Sequence, residues 1–132
     1  MDITVSQEQG RVPVTVFRLK GDLNVNSHQA LEARAREAHQ AGAQNLVIDL
    51  SEVPYVSSAG IRAINAIFNL LRADTPAESD ETMKKGLRDG TFKSPHLKLV
   101  GPSRSVLEVL NMAGVDMFLE IHRDLTDAVA AF

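Results

Sequence analysis

The stretch NLVIDLSEVPYVSSAG, at residues 45–60, predicts three consecutive pieces of structure. Residues 45–50 form a short, continuous apolar run, which is typical of a strand buried on both faces of an α/β sheet. A connection over residues 51–56 leads to Ser57 and Ser58, after which apolar side chains recur at helical spacing. We therefore expect a buried strand, a corner and a helix that begins at the serine pair.

The residues before this stretch predict a hairpin and a helix. Residues 3–7 alternate in character, residues 12–19 are rich in β-branched side chains, and a turn around Gly10 separates them. Ser27 is a good helix N-cap, and Gly42 stands where that helix would end. We expect two antiparallel strands followed by one helix.

The residues after the stretch continue the alternation of strands and helices. Residues 97–101 predict a strand and its exit, after which Ser103 is expected to cap a helix that Gly114 ends. Residues 118–121 predict a last short strand, and Asp124 is expected to cap a closing helix.

The resulting order is β-β-α-β-α-β-α-β-α. Such alternation predicts an α/β fold with a mixed, mostly parallel sheet of about five strands and helices packed on it. The length of 132 residues fits a single domain over residues 1–132. Residues 74–96 are polar and contain two glycines and two prolines, so we expect an inserted loop there.

Composition excludes several classes of protein. A formal net charge of -3 predicts no general attraction to nucleic acid or to an anionic membrane. The chain contains no run apolar enough to span a bilayer, and its first residues lack the layout of a signal peptide. It contains no cysteine, which excludes disulfides and thiolate metal sites and fits a reducing compartment. We expect a cytoplasmic protein.

The serine pair is the most informative candidate site. A helix N-terminus offers unpaired N–H groups and a positive dipole end, so a phosphate on Ser58 would be tolerated there. In this interpretation Ser57 caps the helix, Ser58 accepts the phosphate, and Gly60 lets another backbone come close. The alternative is that both serines only cap a helix, because serine is common at N-caps.

A serine nucleophile is a further alternative, which the residues disfavour. The nucleophile elbow of serine hydrolases needs a glycine two places before the serine, but Tyr55 and Val56 occupy those places. The four histidines have no recognisable catalytic setting, and no Gly-rich phosphate loop or metal-ligand spacing is present. We expect no catalytic activity, no metal and no cofactor.

Three motifs together resemble the STAS domain, and in particular the bacterial anti-sigma factor antagonists. They are residues 49–61, the turn at residues 21–24 and the strand-to-helix corner at residues 97–103. The resemblance covers nearly the whole chain and implies that Ser58 is the phosphoacceptor. It implies supporting roles for Ser57, Gly60 and Asn24, and partner-binding roles for Asp22, Tyr55, Ile61 and Arg62. Ser57 and Asn24 stand where many members of the family carry Asp.

The resemblance also implies a regulatory mechanism. The unphosphorylated form would bind an anti-sigma factor that is itself a serine kinase, and thereby release a sigma factor. Phosphorylation of Ser58 would end this binding, and a phosphoserine phosphatase would restore it. The alternative function is a STAS scaffold or ligand-sensing module without a phosphorylation switch, which the insertion at residues 74–96 would favour.

Overall fold

The computed structural model describes residues 1–72 and 93–132. Its strands are β1 (Asp2–Gln9), β2 (Pro13–Lys20), β3 (Leu46–Glu52), β4 (Leu97–Val100) and β5 (Glu120–His122). Its helices are α1 (His28–Gln40), α2 (Ser58–Arg72), α3 (Arg104–Met112) and α4 (Leu125–Ala130), with a 3₁₀ turn at Val115–Met117. Within these described ranges the predicted order of strands and helices is confirmed.

The five strands form one sheet in the order β1-β2-β3-β4-β5. β1 and β2 are antiparallel, with Asp2 opposite Lys20 and Gln9 opposite Pro13. The other three pairs, β2 with β3, β3 with β4 and β4 with β5, are parallel. The prediction of a mixed, mostly parallel α/β sheet is therefore confirmed.

β3 is buried on both faces, as its apolar run predicts. Leu46, Ile48 and Leu50 point to one face and pack in the main core with side chains of α1, α2 and α3. Val47 points to the other face, where Ala128 of α4 completes a smaller apolar cluster. Each fully buried aliphatic side chain contributes about 1.5–3 kcal/mol. Within residues 1–72 and 93–132, three helices thus cover one face of the sheet, and the short α4 covers the other.

Two of the predicted helix caps are confirmed. The Oγ of Ser103 accepts a hydrogen bond from the Val106 N–H at 3.3 Å, and Oδ1 of Asp124 accepts one from the Asp127 N–H at 2.9 Å. Gly42 follows the end of α1 with φ +103°, a left-handed conformation that glycine adopts without strain.

The predicted N-cap position of Ser27 is confirmed, since Ser27 directly precedes α1. Its side chain, however, makes no capping hydrogen bond. Its Oγ instead donates to the carbonyl of Asp22 at 2.7 Å and accepts from the N–H of Asn24 at 2.9 Å. The hydroxyl is turned away because it closes the preceding loop.

The last strand begins two residues later than predicted. Phe118 ends the 3₁₀ turn, since its N–H donates to the carbonyl of Val115 at 3.2 Å. Its ring packs on Phe68 of α2, with the ring centroids 4.9 Å apart. This packing and the turn before it place Phe118 outside the sheet, and β5 contains only Glu120–His122.

Most of the predicted insertion, residues 74–92, lies outside the described residues. Its last part, residues 93–96, is described and anchored to the fold. Ser94 is buried, and its N–H donates to the carbonyl of Phe118 at 2.8 Å. The carbonyl of His96 accepts from the N–H of Leu46 at the start of β3, also at 2.8 Å. The division of the chain into a single domain with an insertion stays a prediction.

Candidate functional site

The loops that leave β2 and β3 are joined at the carboxyl edge of the sheet. Leu23 and Val56 form an isolated parallel bridge. The N–H of Leu23 donates to the carbonyl of Tyr55, and the N–H of Ser57 donates to the carbonyl of Leu23, both at 2.9 Å. These bonds extend the sheet by one short pair and hold the β2–α1 loop against the start of α2.

Gly60 makes this close packing possible. A Cβ atom at residue 60 would lie 2.7 Å from the carbonyl oxygen of Leu23 and 2.9 Å from Cγ1 of Val56. The contact with the Leu23 carbonyl is made with backbone, so a side-chain rotation cannot relieve it. The backbone that comes close to Gly60 therefore belongs to the chain's own loop.

Ser57 caps α2. Its Oγ accepts from the N–H of Gly60 at 3.4 Å, and its carbonyl accepts the first helical hydrogen bond from Ile61 at 3.0 Å. The side chain is only partly exposed. Ser57 thus fixes where the helix begins and where the next side chain points.

Ser58 is the first residue of α2 and is exposed. Its hydroxyl has no hydrogen-bond partner within the described parts of the chain. The first N–H groups of a helix have no intrahelical partner, and with the helix dipole they favour a nearby anion by about 0.3–1 kcal/mol. The helix start therefore favours a negative charge at this position.

Asn24 shapes the loop beside the serines. Its Oδ1 accepts from the N–H of Asn26 at 2.9 Å and lies 3.4 Å from Oγ of Ser27. Its carbonyl accepts from the N–H groups of Ser27 and His28. Through these bonds, Asn24 fixes the path of the β2–α1 loop.

The predicted partner-binding residues differ in exposure. Asp22, on the β2–α1 loop, and Arg62, on α2, are exposed, and Tyr55 is 53% exposed. Ile61 is only 9% exposed and packs in the main core. The first three offer polar and aromatic surface around the serines, whereas Ile61 mainly holds α2 on the sheet.

The sequence patterns did not predict that β3 carries a buried carboxylate. Asp49 is 5% exposed, and its Oδ1 accepts from the N–H of Ser51 at 2.9 Å and from its Oγ at 2.7 Å. Its Oδ2 accepts from Nε of Arg18 at 3.3 Å. The local bond to Ser51 had a signal in the sequence, since an Asp side chain commonly accepts from the backbone N–H two residues on.

A second buried ionic cluster lies on the face of the sheet that α4 covers. Lys98 is only 1% exposed. Its Nζ lies 2.5 Å from Oε2 of Glu120 and 4.8 Å from the centre of the Phe132 ring. Burial raises the pKa of the Glu120 carboxyl, but Lys98, and to a smaller extent His122, lower it by more. The net pKa lies below its ordinary value, so the carboxylate stays charged and holds the buried lysine.

Three of the four histidines are hydrogen bonded to side chains outside the serine pair. His28, His96 and His122 bond Glu32, Asn45 and Glu120, respectively, at 3.0–3.2 Å. Among residues 1–72 and 93–132 no cluster of side chains could hold a metal ion. No helix in the same ranges is long and apolar enough to cross a membrane.

The fold and the site define a small α/β protein that presents a serine hydroxyl at a helix N-terminus, beside a polar loop. The family model of the STAS domain matches residues 4–75, which is more than half of the chain. The chain belongs to the STAS domain family. No curated protein sequence matches it.

Several solved structures have the same fold. An anti-sigma factor antagonist from Mycobacterium paratuberculosis is 21% identical with a TM-score of 0.69, and the match covers 98% of this chain and 93% of that one. A STAS domain protein from Planctomyces limnophilus is 18% identical with a TM-score of 0.69, covering 99% and 97%. The phosphorylated form of the Bacillus cell fate determinant SpoIIAA is 14% identical with a TM-score of 0.64, covering 97% and 96%.

Proposed function

We propose that this chain is an anti-sigma factor antagonist whose binding is controlled by phosphorylation of Ser58. The unphosphorylated form binds an anti-sigma factor serine kinase and thereby releases a sigma factor in the cytoplasm. The kinase transfers the γ-phosphoryl group of ATP to Oγ of Ser58, which loses its proton, and ADP leaves. A phosphoserine phosphatase hydrolyses the ester and restores binding. The chain itself binds and does not catalyse.

The observation that carries this proposal is the position of Ser58. Its hydroxyl is exposed at the start of α2. Ser57 caps this helix, and Gly60 packs closely against the carbonyl of Leu23. Because these contacts fix the helix start, the hydroxyl is presented to a kinase in one orientation. The likeness to SpoIIAA, a protein solved in a phosphorylated and an unphosphorylated form, supports the same kind of modification here.

The surroundings of Ser58 explain how phosphate would end binding. Phosphorylation adds a charge of about -1.5 to -2 at pH 7. Exposed Asp22 and Tyr55 lie on the two loop segments that are hydrogen bonded to each other beside the serines. A partner that covers this surface would have to desolvate a dianion next to an acidic residue, which disfavours the complex.

The test is phosphorylation and binding with the anti-sigma factor kinase of the source organism. We expect incubation with this kinase and ATP to place phosphate on Ser58, and Ser58→Asp to weaken binding at least tenfold while Ser58→Ala binds like the wild type. Ser103→Asp is the matched control, because Ser103 also lies at a helix N-terminus but on another loop. Equal binding by Ser58→Ala and Ser58→Asp, or phosphate on Ser57 alone, would contradict the proposal.

A groove beneath the hairpin favours a second candidate function, ligand sensing. It has a volume of about 670 Å³ and lies between β1, β2 and the end of α1, with Phe17, Arg34 and Asn45 among its lining residues. This volume is in the range of small-molecule sites. Native mass spectrometry of the purified protein tests it: a retained small molecule that Arg34→Ala loses would support sensing, and a ligand-free protein would oppose it.

A further inference from the structure

Arg62 lies one helical turn after Ser58 on α2, and both side chains are exposed. Residues four apart on a helix lie on the same side, with their Cβ atoms about 5–6 Å apart. Such a pair is more favourable when the anion precedes the cation by four residues than in the reverse order. A phosphate on Ser58 would therefore have a guanidinium group within reach.

Arg62 is available for this contact. Within the described residues it makes no ion pair, whereas Arg18 is paired with Asp49 and Arg104 faces Glu108. Exposed Arg36 of α1 lies beside Ala66 and Asn69 of α2, which follow Ser58 by about two turns or more. Arg36 is therefore farther from Ser58 than Arg62 is.

We propose that Arg62 is the intramolecular phosphate-binding residue of phosphorylated Ser58. The guanidinium donates two parallel N–H hydrogen bonds to phosphate oxygens, a geometry that arginine forms and lysine does not. The free N–H groups at the helix start bind the phosphate from the other side. This inference rests on Ser58 being the modified residue.

The ion pair changes how the switch acts on the partner surface. In the unphosphorylated chain the charge of Arg62 is exposed and can meet an acidic group of the partner. In the phosphorylated chain the same guanidinium is bound to the chain's own phosphate. Phosphorylation thus adds a dianion and removes a cation from the binding surface in a single step.

The test uses the full chain with phosphoserine inserted at position 58 during translation, so that it needs no kinase. The phosphate is titrated by ³¹P NMR in four proteins, which carry Arg62, Arg62→Gln, Arg62→Lys or the control Arg36→Gln. We expect the second pKa of the phosphate to be about 0.2–0.7 unit higher in Arg62→Gln than with Arg62, because an exposed ion pair is lost. Arg62→Lys should lie between them, and Arg36→Gln should match the parent.

Asp22, on the loop beside the helix start, is the same in all four proteins, so its effect on the phosphate cancels. Equal titration of the Arg62 and Arg62→Gln proteins would overturn the proposal, as would an equally large shift in Arg36→Gln. Failure here is distinct from failure of the proposed function. If Ser58→Asp weakens kinase binding but no ion pair forms, the proposed function stands and this inference fails. If the ion pair forms but no kinase modifies the chain, the proposed function fails.

Discussion

At the scale of single residues, the site depends on contacts that leave no room for a side chain. Gly60 touches the carbonyl of Leu23, and this contact places the β2–α1 loop next to Ser58. The φ angle of Gly60 is not in the left-handed region, so the requirement for glycine is steric and not conformational. A residue that is usually unfavourable inside a helix is therefore needed here for packing.

Gly60→Ala tests this steric requirement. In an unconstrained helix the change would stabilise the protein by about 0.5–1 kcal/mol, but here the added methyl group meets backbone. We expect the free energy of unfolding to fall by about 1–3 kcal/mol in urea denaturation. Asn69→Ala, at an exposed position of the same helix, is the control and should change stability by less than about 0.5 kcal/mol. A more stable Gly60→Ala protein would refute the contact.

Glu120 predicts a pH dependence of stability. Its pKa is lowered in the folded chain, chiefly because Lys98 outweighs the effect of burial. A lowered pKa gives stability that is present above the unfolded-state pKa and is lost as the pH falls through the folded-state pKa. We expect Glu120→Gln to be about 1–3 kcal/mol less stable at pH 7, and this difference to shrink in acid.

Urea denaturation from pH 7 down to pH 3 measures this difference. Glu108→Gln is the control, because the Glu108 side chain is 67% exposed and lies 3.8 Å from Nε of Arg104. It should follow the wild type at every pH. A difference between Glu120→Gln and the wild type that stays constant with pH would show that the lysine pair does not lower the pKa.

At the scale of the helix, the start of α2 places two adjacent serines in different surroundings. Ser57 is partly buried and caps the helix, and Ser58 is exposed. The order of the two follows from helix geometry, since the cap must precede the first helical residue. Modification of Ser58 therefore leaves the capping hydrogen bond intact.

Ser57→Ala and Ser57→Asp separate capping from charge. Loss of the cap in Ser57→Ala should cost about 0.5–2 kcal/mol of stability, whereas Asp is a good N-cap and should retain it. Thermal unfolding followed by circular dichroism measures both variants, with Ser58→Ala as the neighbour that should be nearly neutral. Equal losses in Ser57→Ala and Ser58→Ala would show that Ser57 does not cap the helix.

At the scale of the whole molecule, the sheet is covered unequally. In the part of the chain that the structure describes, three helices pack on one face, and the six-residue α4 contributes Ala128 to the apolar cluster on the other. Val129 of the same helix touches Gly10, where an added Cβ would lie 2.9 Å from Cγ1 of Val129. α4 thus ties the β1–β2 turn to the parallel part of the sheet.

We expect Ala128→Glu to disrupt the packing of α4 on the sheet. Ala128 is fully buried, so a carboxylate there would have to be desolvated without a partner, whereas Ala130→Glu places the same charge on an exposed position. We expect a loss of several kcal/mol for Ala128→Glu and less than about 0.5 kcal/mol for Ala130→Glu. Urea denaturation and binding of an apolar dye measure both, and similar stability in the two variants would contradict the packing of α4.

Much of this architecture could be predicted from local patterns. The apolar run of β3, the order of strands and helices, the caps at Ser103 and Asp124 and the serine pair at the start of α2 all depend on neighbours in the chain. Capping and periodicity act between such neighbours, so the sequence by itself determined the fold class and placed the serine pair at a helix start. The choice of Ser58 as candidate phosphoacceptor came from the resemblance to the STAS domain.

Tertiary structure decided the features that join distant residues. The contact of Leu23 with Gly60, the hydrogen bonds that turn Ser27 away from its helix and the ion pair of Lys98 with Glu120 bring together parts of the chain that no local pattern relates. Packing also buried Ile61 and left Arg62 exposed one turn after Ser58. Side-chain burial depends on what the sheet and the loops place against each helix face, and that arrangement exists only in the folded chain.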